Sequence, residues 1–172
     1  MKRFALLFAA TALTACAWTR PSYQASIGPI APQGDFAAGT NTGLIISGGL
    51  TAPIANHPGL VFEGQAFYGH VGYSGSAGDA TNIPGVSAGA RYEIGTGSTK
   101  PYVSGAAGIL QHRYDAGSSG YDYGSDAETK PFVSVGGGLS FGRVVIDARL
   151  VGASGTAFIP LTVGFRFGGP SK

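Results

Sequence analysis

The stretch "IPLTVGFRF", residues 159–167, carries the pattern that decides the fold. Apolar side chains occupy every second position, at Ile159, Leu161, Val163, Phe165 and Phe167. The positions between them carry small or polar side chains and one charge, Arg166. Because side chains two residues apart share a face of a β-strand, this stretch predicts a strand with one apolar face and one face that tolerates charge.

Seven further segments show the same two-residue period, separated by clusters of Gly, Pro, Asn, Asp and Ser. The eight predicted strands are Ser22–Ile30, Gly39–Thr51, Leu60–Tyr73, Pro84–Gly95, Lys100–Tyr114, Thr129–Phe141, Arg143–Ala153 and Thr156–Gly168. Most of them reach the roughly 9–11 residues that a tilted strand needs to cross a bilayer. Frequent glycines and dense β-branched residues argue against helices.

The composition favours a packed β structure over disorder. The chain has 172 residues, enough for one domain, and 30 of them are glycine. Disordered chains have few aromatic residues and a high net charge. This chain has 11% aromatic residues and a formal net charge of +2.

Residues 1–17 predict a signal peptide that is cleaved after export, which leaves one domain over residues 18–172. Lys2 and Arg3 precede an apolar run, Phe4–Leu13, that is too short to remain as a membrane-spanning helix. Two cleavage sites stay open. Ala15-Cys16-Ala17 fits a site that releases a mature chain from residue 18, whereas residues 13–16 resemble the lipobox of bacterial lipoproteins, which would leave Cys16 acylated.

Three further properties exclude classes of structure or partner. Cys16 is the only cysteine, so no disulfide forms within the chain. With Lys2 and Arg3 removed, nine basic and nine acidic residues remain, which argues against a nucleic-acid partner. Outside the leader, no stretch approaches 18 apolar residues, so no transmembrane helix is predicted.

Two architectures fit the alternation: a soluble sandwich or lipocalin-type barrel, and a transmembrane barrel. The connections favour the second, because long polar ones (Ser74–Ile83, Asp115–Glu128) and tight ones (Thr96–Thr99, Gly142) fall on opposite sides. The side with the long connections holds six of the nine acidic residues: Asp35, Asp79, Asp115, Asp122, Asp126 and Glu128. The opposite side holds Arg20, Lys100, Arg143 and Lys172. We therefore predict an all-β fold, an eight-stranded antiparallel up-and-down transmembrane β-barrel.

Two strand openings, "KPYVSGAAGI" (residues 100–109) and "KPFVSVGGGLSF" (residues 130–141), and the closing "IPLTVGFRF" resemble those of a known family. The mature chain is similar to the small outer-membrane β-barrels of Gram-negative bacteria, the OmpA/OmpX-like group. The resemblance implies a monomer in the cell outer membrane, in contact with outer-membrane lipids. It also implies recognition of the last strand by the barrel-assembly machinery, through Leu161, Val163, Phe165 and Phe167. Residues 168–172 after Phe167 depart from the family pattern.

Six charged residues fall on the faces that would line the lumen: Glu63, Arg91, Glu93, Asp147, Arg149 and Arg166. Three acids balance three bases, and buried charges need partners, so we predict an internal ion-pair network that fills a narrow barrel. A conducting pore is the weaker alternative, because eight strands leave little free lumen. Replacing Arg166 by Ala is then expected to leave an acid unpaired and to lower stability.

The sequence contains no recognisable catalytic or metal-binding motif. His57, His70 and His112 lack ligand spacing, so neither a metal nor another cofactor is expected. Ser104 or Ser134 could combine with His112 in a lipid hydrolase, but no Gly-x-Ser-x-Gly motif supports this. We expect a non-enzymatic protein of envelope integrity or surface interaction. The alternatives are a lipid-modifying enzyme on the same barrel and a soluble periplasmic lipoprotein.

The connection at residues 115–128 is the strongest candidate for a surface contact. It lies within "YDAGSSGYDYGSDAET", which places three tyrosines among four acids. Tyrosine supplies rigid amphipathic contact area, and the acids could share Ca²⁺ or Mg²⁺ with lipid phosphates. A solvated mobile loop is the alternative. Deleting Ser118–Asp126 should abolish surface binding and leave the barrel folded if the first interpretation is right.

Overall fold

A computed structural model of the chain describes residues 21–74, 79–115 and 127–168. It contains eight strands: β1 (Ser22–Gln33), β2 (Gly43–Pro53), β3 (Leu60–Gly72), β4 (Ala80–Glu93), β5 (Thr99–Asp115), β6 (Ala127–Phe141), β7 (Val144–Ala153) and β8 (Thr156–Gly168). Each strand pairs antiparallel with the next, and β8 pairs with β1 to close the sheet. The predicted eight-stranded up-and-down barrel is therefore confirmed, and a two-sheet sandwich is wrong.

Apolar and polar side chains alternate along β8, so the strand has the apolar face and the polar face that the sequence predicts. Leu161, Val163, Phe165 and Phe167 point outward, each between 47% and 53% exposed. Thr162 between them is buried in the lumen, at 7% exposed. The same division holds along the other strands, so the apolar face of the sheet is its exterior.

The observed strands differ from the predicted ones mainly at their ends. β4 begins at Ala80, four residues before the predicted start at Pro84, so the last four residues of the expected loop Ser74–Ile83 are strand. β2 begins at Gly43 instead of Gly39, because Gly39 lies in a turn with φ +88. The sequence predicts a strand boundary at Pro84, but proline also occurs inside strands where the ladder is interrupted, as it is here between β4 and β5.

The two ends of the barrel carry different connections. The loop end is the end that carries the connections β1–β2, β3–β4, β5–β6 and β7–β8. The β1–β2 connection contains a 3-10 turn over Gly34–Ala37. At the turn end, β1 begins at Ser22, β8 ends at Gly168, and the other three connections lie there. Because the strands alternate in direction between these two ends, each height of the lumen brings together side chains from different strands.

The hydrophobic core lies inside the barrel, in its loop-end half. Each strand contributes one buried side chain to it: Ile30, Ile45, Val71, Ile83, Leu110, Phe132, Val151 and Phe158. Phe36 from the 3-10 turn and Phe67 from β3 pack against this apolar plug. The small and polar inward face that the sequence predicts for residues 159–167 therefore does not extend over the loop-end half of the lumen. One large apolar residue per strand suffices to fill so narrow a barrel.

The leader lies outside the described residues, and so do both of its cleavage sites and Cys16. Residues 169–172 lie outside them as well. In the part of the chain that the structure describes, no helix is long and apolar enough to cross a membrane.

Candidate functional site: the charged half of the lumen

The structure places all six predicted lumen charges on the inward face, in the turn-end half of the barrel. Glu63, Arg91, Asp147 and Arg149 are buried, and Arg91 is only 2% exposed. Glu93 and Arg166 are half-buried. They come from β3, β4, β7 and β8 and form two groups.

The acidic group consists of Glu63, Asp147 and Arg149. Arg149 Nε donates to Asp147 Oδ1 at 2.6 Å, and Arg149 Nη1 pairs with Glu63 Oε1. Tyr102 adds a further donor, since its hydroxyl lies 2.6 Å from Asp147 Oδ2. Two carboxylates thus share one guanidinium, and the group has a net charge of −1.

The basic group consists of Arg91, Lys100 and Arg166 around one carboxylate, Glu93. Arg91 Nη2 lies 2.9 Å from Glu93 Oε1, and Lys100 Nζ lies 3.5 Å from Oε2. Arg166 Nη1 is 3.6 Å from Glu93 Oε1. Arg91 also lies over the Tyr102 ring, at 5.2 Å from Cζ to the centroid, a favourable cation–π geometry. With three cations and one carboxylate, this group has a net charge of +2.

These partners change the expected effect of removing Arg166. The sequence alone predicts that Arg166→Ala leaves an acid unpaired. In the structure Glu93 keeps Arg91 and Lys100 after that change. Arg149 is the residue whose removal would leave carboxylates without a cation.

Glycines on β6 make room for the acidic group. A Cβ on Gly136 would lie 2.7 Å from Cγ of Arg149, and one on Gly138 would lie 2.6 Å from the Tyr102 hydroxyl. Real Cβ atoms do not approach other heavy atoms so closely. The small residues of "VGGGL" therefore allow long polar side chains to cross a narrow lumen.

Sequence reasoning missed two members of the site, Lys100 and Tyr102. The sequence pattern places Lys100 on the turn side, and Tyr102 stands out only as part of a strand opening. Both share the parity of Ser104, which lines the lumen. Because side chains two residues apart share a face of a strand, a lumen position for Ser104 predicts lumen positions for Tyr102 and Lys100.

The free space in this half of the lumen is small. Two cavities, both lined in part by Ser47, Gln65 and Arg149, have volumes of about 10 and about 30 Å³. A water molecule needs roughly 10–15 Å³, so they have room for isolated waters. Among the residues that the structure describes, side chains fill the lumen at the plug and around the acidic group, which is the opposite of an open channel.

The residues considered for hydrolysis are far apart. Ser104 and His112 lie eight residues apart on β5, about 27 Å along the strand. Ser134 pairs with Ala106, six residues or about 20 Å from His112. His112 instead packs edge-on against Phe36, with ring centroids 5.7 Å apart. Within residues 21–74, 79–115 and 127–168, no group of three or more His, Cys, Asp or Glu could hold a metal ion.

A groove of about 450 Å³ opens on the outer wall between β4 and β5. The strand register pairs Asn82 with Arg113 and resumes only at Gly85 with Leu110. Pro84 lies in the gap and has no N–H to donate to the ladder. Apolar side chains line the part of the groove that is nearer the turn end. The rim nearer the loop end carries Gln111, Arg113 and Thr129.

Most of the predicted contact loop lies outside the described residues, which stop at Asp115 and resume at Ala127. Its base is ordered by aromatic contacts. The rings of Tyr73 and Tyr114 lie 5.6 Å apart, and the Tyr114 hydroxyl donates to Asp79 Oδ2 at 3.0 Å. The loop therefore emerges from a defined platform at the loop end.

Comparison with known proteins identifies the fold. No protein-family model and no curated protein sequence matches the chain. The structure resembles Neisserial surface protein A with a TM-score of 0.64 at 16% identity, covering 86% of this chain and 97% of that one. For Ail, the attachment invasion locus protein of Yersinia pestis, the TM-score is 0.54 at 18% identity, covering 86% of this chain and 98% of that one.

The N-terminal β-barrel domain of Pseudomonas aeruginosa OprF is also similar. The TM-score is 0.50 at 18% identity, and the match covers 85% of this chain and 97% of that one. At such identities the likeness establishes architecture. The chain has the fold of the small eight-stranded transmembrane barrels of outer membranes, as the sequence resemblance implies.

Proposed function

We propose that this chain is a non-enzymatic, non-conducting barrel of the Gram-negative outer membrane, which presents its loop end at the cell surface. The observation that carries the proposal is the inverted distribution of apolar side chains. A soluble barrel hides its apolar face, whereas here the exterior is the apolar face on every strand.

The exterior has the features of a lipid-facing surface. Five aromatic side chains point outward near the turn end: Tyr23, Tyr92, Phe141, Phe165 and Phe167. From Phe167 in this set to Ile159 nearer the loop end, the outward face of β8 spans about 27 Å along the strand. A tilt of about 40° converts this to a height of about 20 Å, near the roughly 25 Å band of outer-membrane barrels. The leader predicted from residues 1–17 is consistent with export.

Location and fold can be tested together. The protein should fractionate with the outer membrane and should migrate differently on a gel when unboiled and boiled. Recovery in the soluble periplasmic fraction, with no heat-dependent change in migration, would contradict the proposal. Mass spectrometry of the mature N-terminus distinguishes a chain acylated at Cys16 from one that begins at Trp18.

The apolar plug supports a barrel that does not conduct. It spans the loop-end half of the lumen, where ions would have to pass between packed Ile, Leu, Val and Phe side chains. In planar bilayers we expect no stepwise conductance from the purified protein. Stable channels in that measurement would overturn this part of the proposal.

We propose that the surface role belongs to the loop at residues 115–128. Two structural neighbours are named a surface protein and an attachment invasion locus protein, which supports such a role. Deleting Ser118–Asp126 should abolish binding of cells to host surfaces and leave heat-modifiable migration unchanged. If the deletion leaves binding intact and instead sensitises cells to detergent, the role is envelope integrity.

For the outer-membrane lipids expected as partners, we propose the groove beside Pro84 as a contact site. Its apolar part fits an acyl chain, and Arg113 at the rim has the charge to hold a lipid phosphate. Native mass spectrometry should show fewer retained anionic lipids for Arg113→Gln. Arg143→Gln, at an exposed position of the opposite end, is the matched control and should retain lipid like the wild type.

We also propose that the barrel-assembly machinery recognises β8 through Leu161, Val163, Phe165 and Phe167. All four are exposed on the outward face, where a partner strand or surface can contact them. Replacing Phe167 by Ser should slow membrane assembly in cells more than it lowers the stability of the refolded barrel. Equal effects on both would assign Phe167 a purely structural role.

A further inference from the structure

The groove on the outer wall beside Pro84 is bordered by both faces of the sheet. Val86 and Ile109 line it from the outward face, where each is about half exposed. Three residues at inward positions line it as well: Phe67, Gly85 and Leu110. Successive residues of a strand point to opposite faces of the sheet. A groove that both faces border therefore extends into the wall of the barrel.

The opening in the wall comes from two neighbouring residues of β4. The ladder between β4 and β5 is interrupted at Pro84, which has no N–H to donate to it. Gly85, the next residue, places no side chain behind the gap. A Cβ on Gly85 would lie 2.3 Å from Cζ of Phe67. The Phe67 ring therefore takes the place of the missing side chain and forms the floor of the groove.

Phe67 differs in exposure from the plug that it packs against. The eight plug side chains are at most 5% exposed, whereas Phe67 is only half-buried. Its ring packs edge-on against Phe132 of the plug, with ring centroids 5.7 Å apart. Phe67 borders a cavity of about 30 Å³ in the lumen and the groove of about 450 Å³ outside. The larger free space next to Phe67 is therefore the one that opens to the bilayer.

The groove suits one acyl chain of a membrane lipid. It lies among the outward apolar residues, and Arg113 at its rim has the charge to hold a lipid phosphate. A methylene group takes up about as much space as a water molecule, roughly 30 Å³, so the groove holds a single chain of roughly fifteen carbons. An empty groove would forfeit dispersion contacts along its lining. A flexible chain restores these contacts, whereas the wall of a second barrel is too broad to enter.

We propose that one acyl chain enters the wall between β4 and β5 and packs on Phe67, so that a bound lipid contacts the plug from outside. The proposal rests on the groove being the lipid-contact site proposed above, and it adds where the chain goes. Phe67 and Gly85 then set the depth of the site. An unbranched chain should bind in preference to a branched one.

Fluorescence quenching by brominated acyl chains measures how deep the chain reaches, because bromine quenches tryptophan only at short range. Trp18, the only tryptophan of the sequence, is replaced by Phe, and a single tryptophan is introduced by Phe67→Trp or Phe158→Trp. The barrel is held in a steroid-based detergent, since an alkyl-chain detergent would itself fill the groove. Brominated phosphatidylglycerol should quench about half of the fluorescence of Phe67→Trp. It should hardly change that of Phe158→Trp, whose position in the plug is completely buried. Equal quenching of both variants, or of neither, overturns the proposal.

Photolabelling leaves Phe67 unchanged and serves if Phe67→Trp fails to fold. A phosphatidylglycerol with a diazirine in mid-chain is photoactivated on the wild-type barrel, and mass spectrometry identifies the labelled residues. Label on Phe67 or Gly85 supports the proposal, and label on outward residues such as Val86 alone overturns it. Ile109→Trp fills the groove from outside and should at least halve the label on Phe67. Val103→Trp, on the same strand and face but outside the groove, should not, and equal label in the two variants overturns the proposal.

The lipid-retention measurement with Arg113→Gln distinguishes failure of this inference from failure of the lipid-contact site. If Arg113→Gln retains less lipid but the wild type is labelled only on its outward face, the contact site holds and entry into the wall is overturned. If Arg113→Gln retains lipid like the wild type and Phe67 is labelled, entry is supported and the role of Arg113 is wrong. A wild type with neither retained lipid nor label overturns both.

Discussion

The two halves of the lumen are filled by different chemistry on the same strands. In the loop-end half, one buried apolar side chain per strand forms the plug. In the turn-end half, seven charged side chains and Tyr102 meet in two groups. The exterior hardly changes between these heights, since outward side chains are apolar along most of each strand.

This difference shows how specific the side chains in each half of the lumen must be. Apolar packing depends on volume and tolerates many partners, so the plug needs only that each strand supply one large residue at the right height. A buried ion depends on a specific partner, so the charged half requires particular pairs. The four predictions below test this contrast, from the largest expected effect to the smallest.

The largest loss is expected for Arg149→Ala. Glu63 and Asp147 then lose their shared cation inside the barrel, which should lower the free energy of unfolding by about 4 kcal/mol. Urea unfolding in detergent micelles measures this. Adding Glu63→Gln and Asp147→Asn to the same chain should recover part of the loss, because the variant then buries no unpaired charge.

Phe158→Ala tests the plug and should cost about 3 kcal/mol, through lost burial and the cavity left behind. Phe158 is completely buried. The matched control is Phe165→Ala on the same strand, whose side chain faces outward and is about half exposed, so its loss should be smaller. Equal losses at the two positions would contradict a packed plug.

The parts of this structure that the sequence predicts are those that depend on local alternation. The eight strands, the outward face of β8 and the inward parity of Arg166 all follow from a two-residue period. Register and shear are non-local, so the sequence cannot say which charges meet. The sequence offers Glu63, Glu93 and Asp147 equally as partners for Arg166, and in the structure Arg166 pairs with Glu93.

The plug escaped prediction for a related reason. On one strand, Ile83 or Leu110 is a single apolar exception on a polar face, which a pattern search treats as noise. Only the closed sheet brings the eight exceptions to one height. An apolar exception near the loop end of every strand is the signal that a search across all strands could detect.

A smaller effect is expected for Gly136→Ala, which tests whether the acidic group needs space from β6. The added methyl would press on Arg149 and on the neighbouring backbone, and such overpacking costs about 2 kcal/mol. Gly152→Ala is the matched control, since a Cβ there meets nothing within 4 Å. It should leave stability unchanged or raise it slightly. A neutral result for both would mean that Arg149 can shift at little cost.

Arg166→Ala should have the smallest effect, although it removes the same residue type from the same half of the lumen as Arg149→Ala. We expect a change below about 0.5 kcal/mol, because the lost ion pair is a long one and the substitution also removes two buried donors that have no partner among the described residues. Glu93 keeps Arg91 and Lys100, and the change lowers the excess charge of the basic group from +2 to +1. A loss as large as that of Arg149→Ala in the same urea titration would mean that Glu93 depends on Arg166. The two groups would then behave as one network, as the balanced charges in the sequence alone suggest.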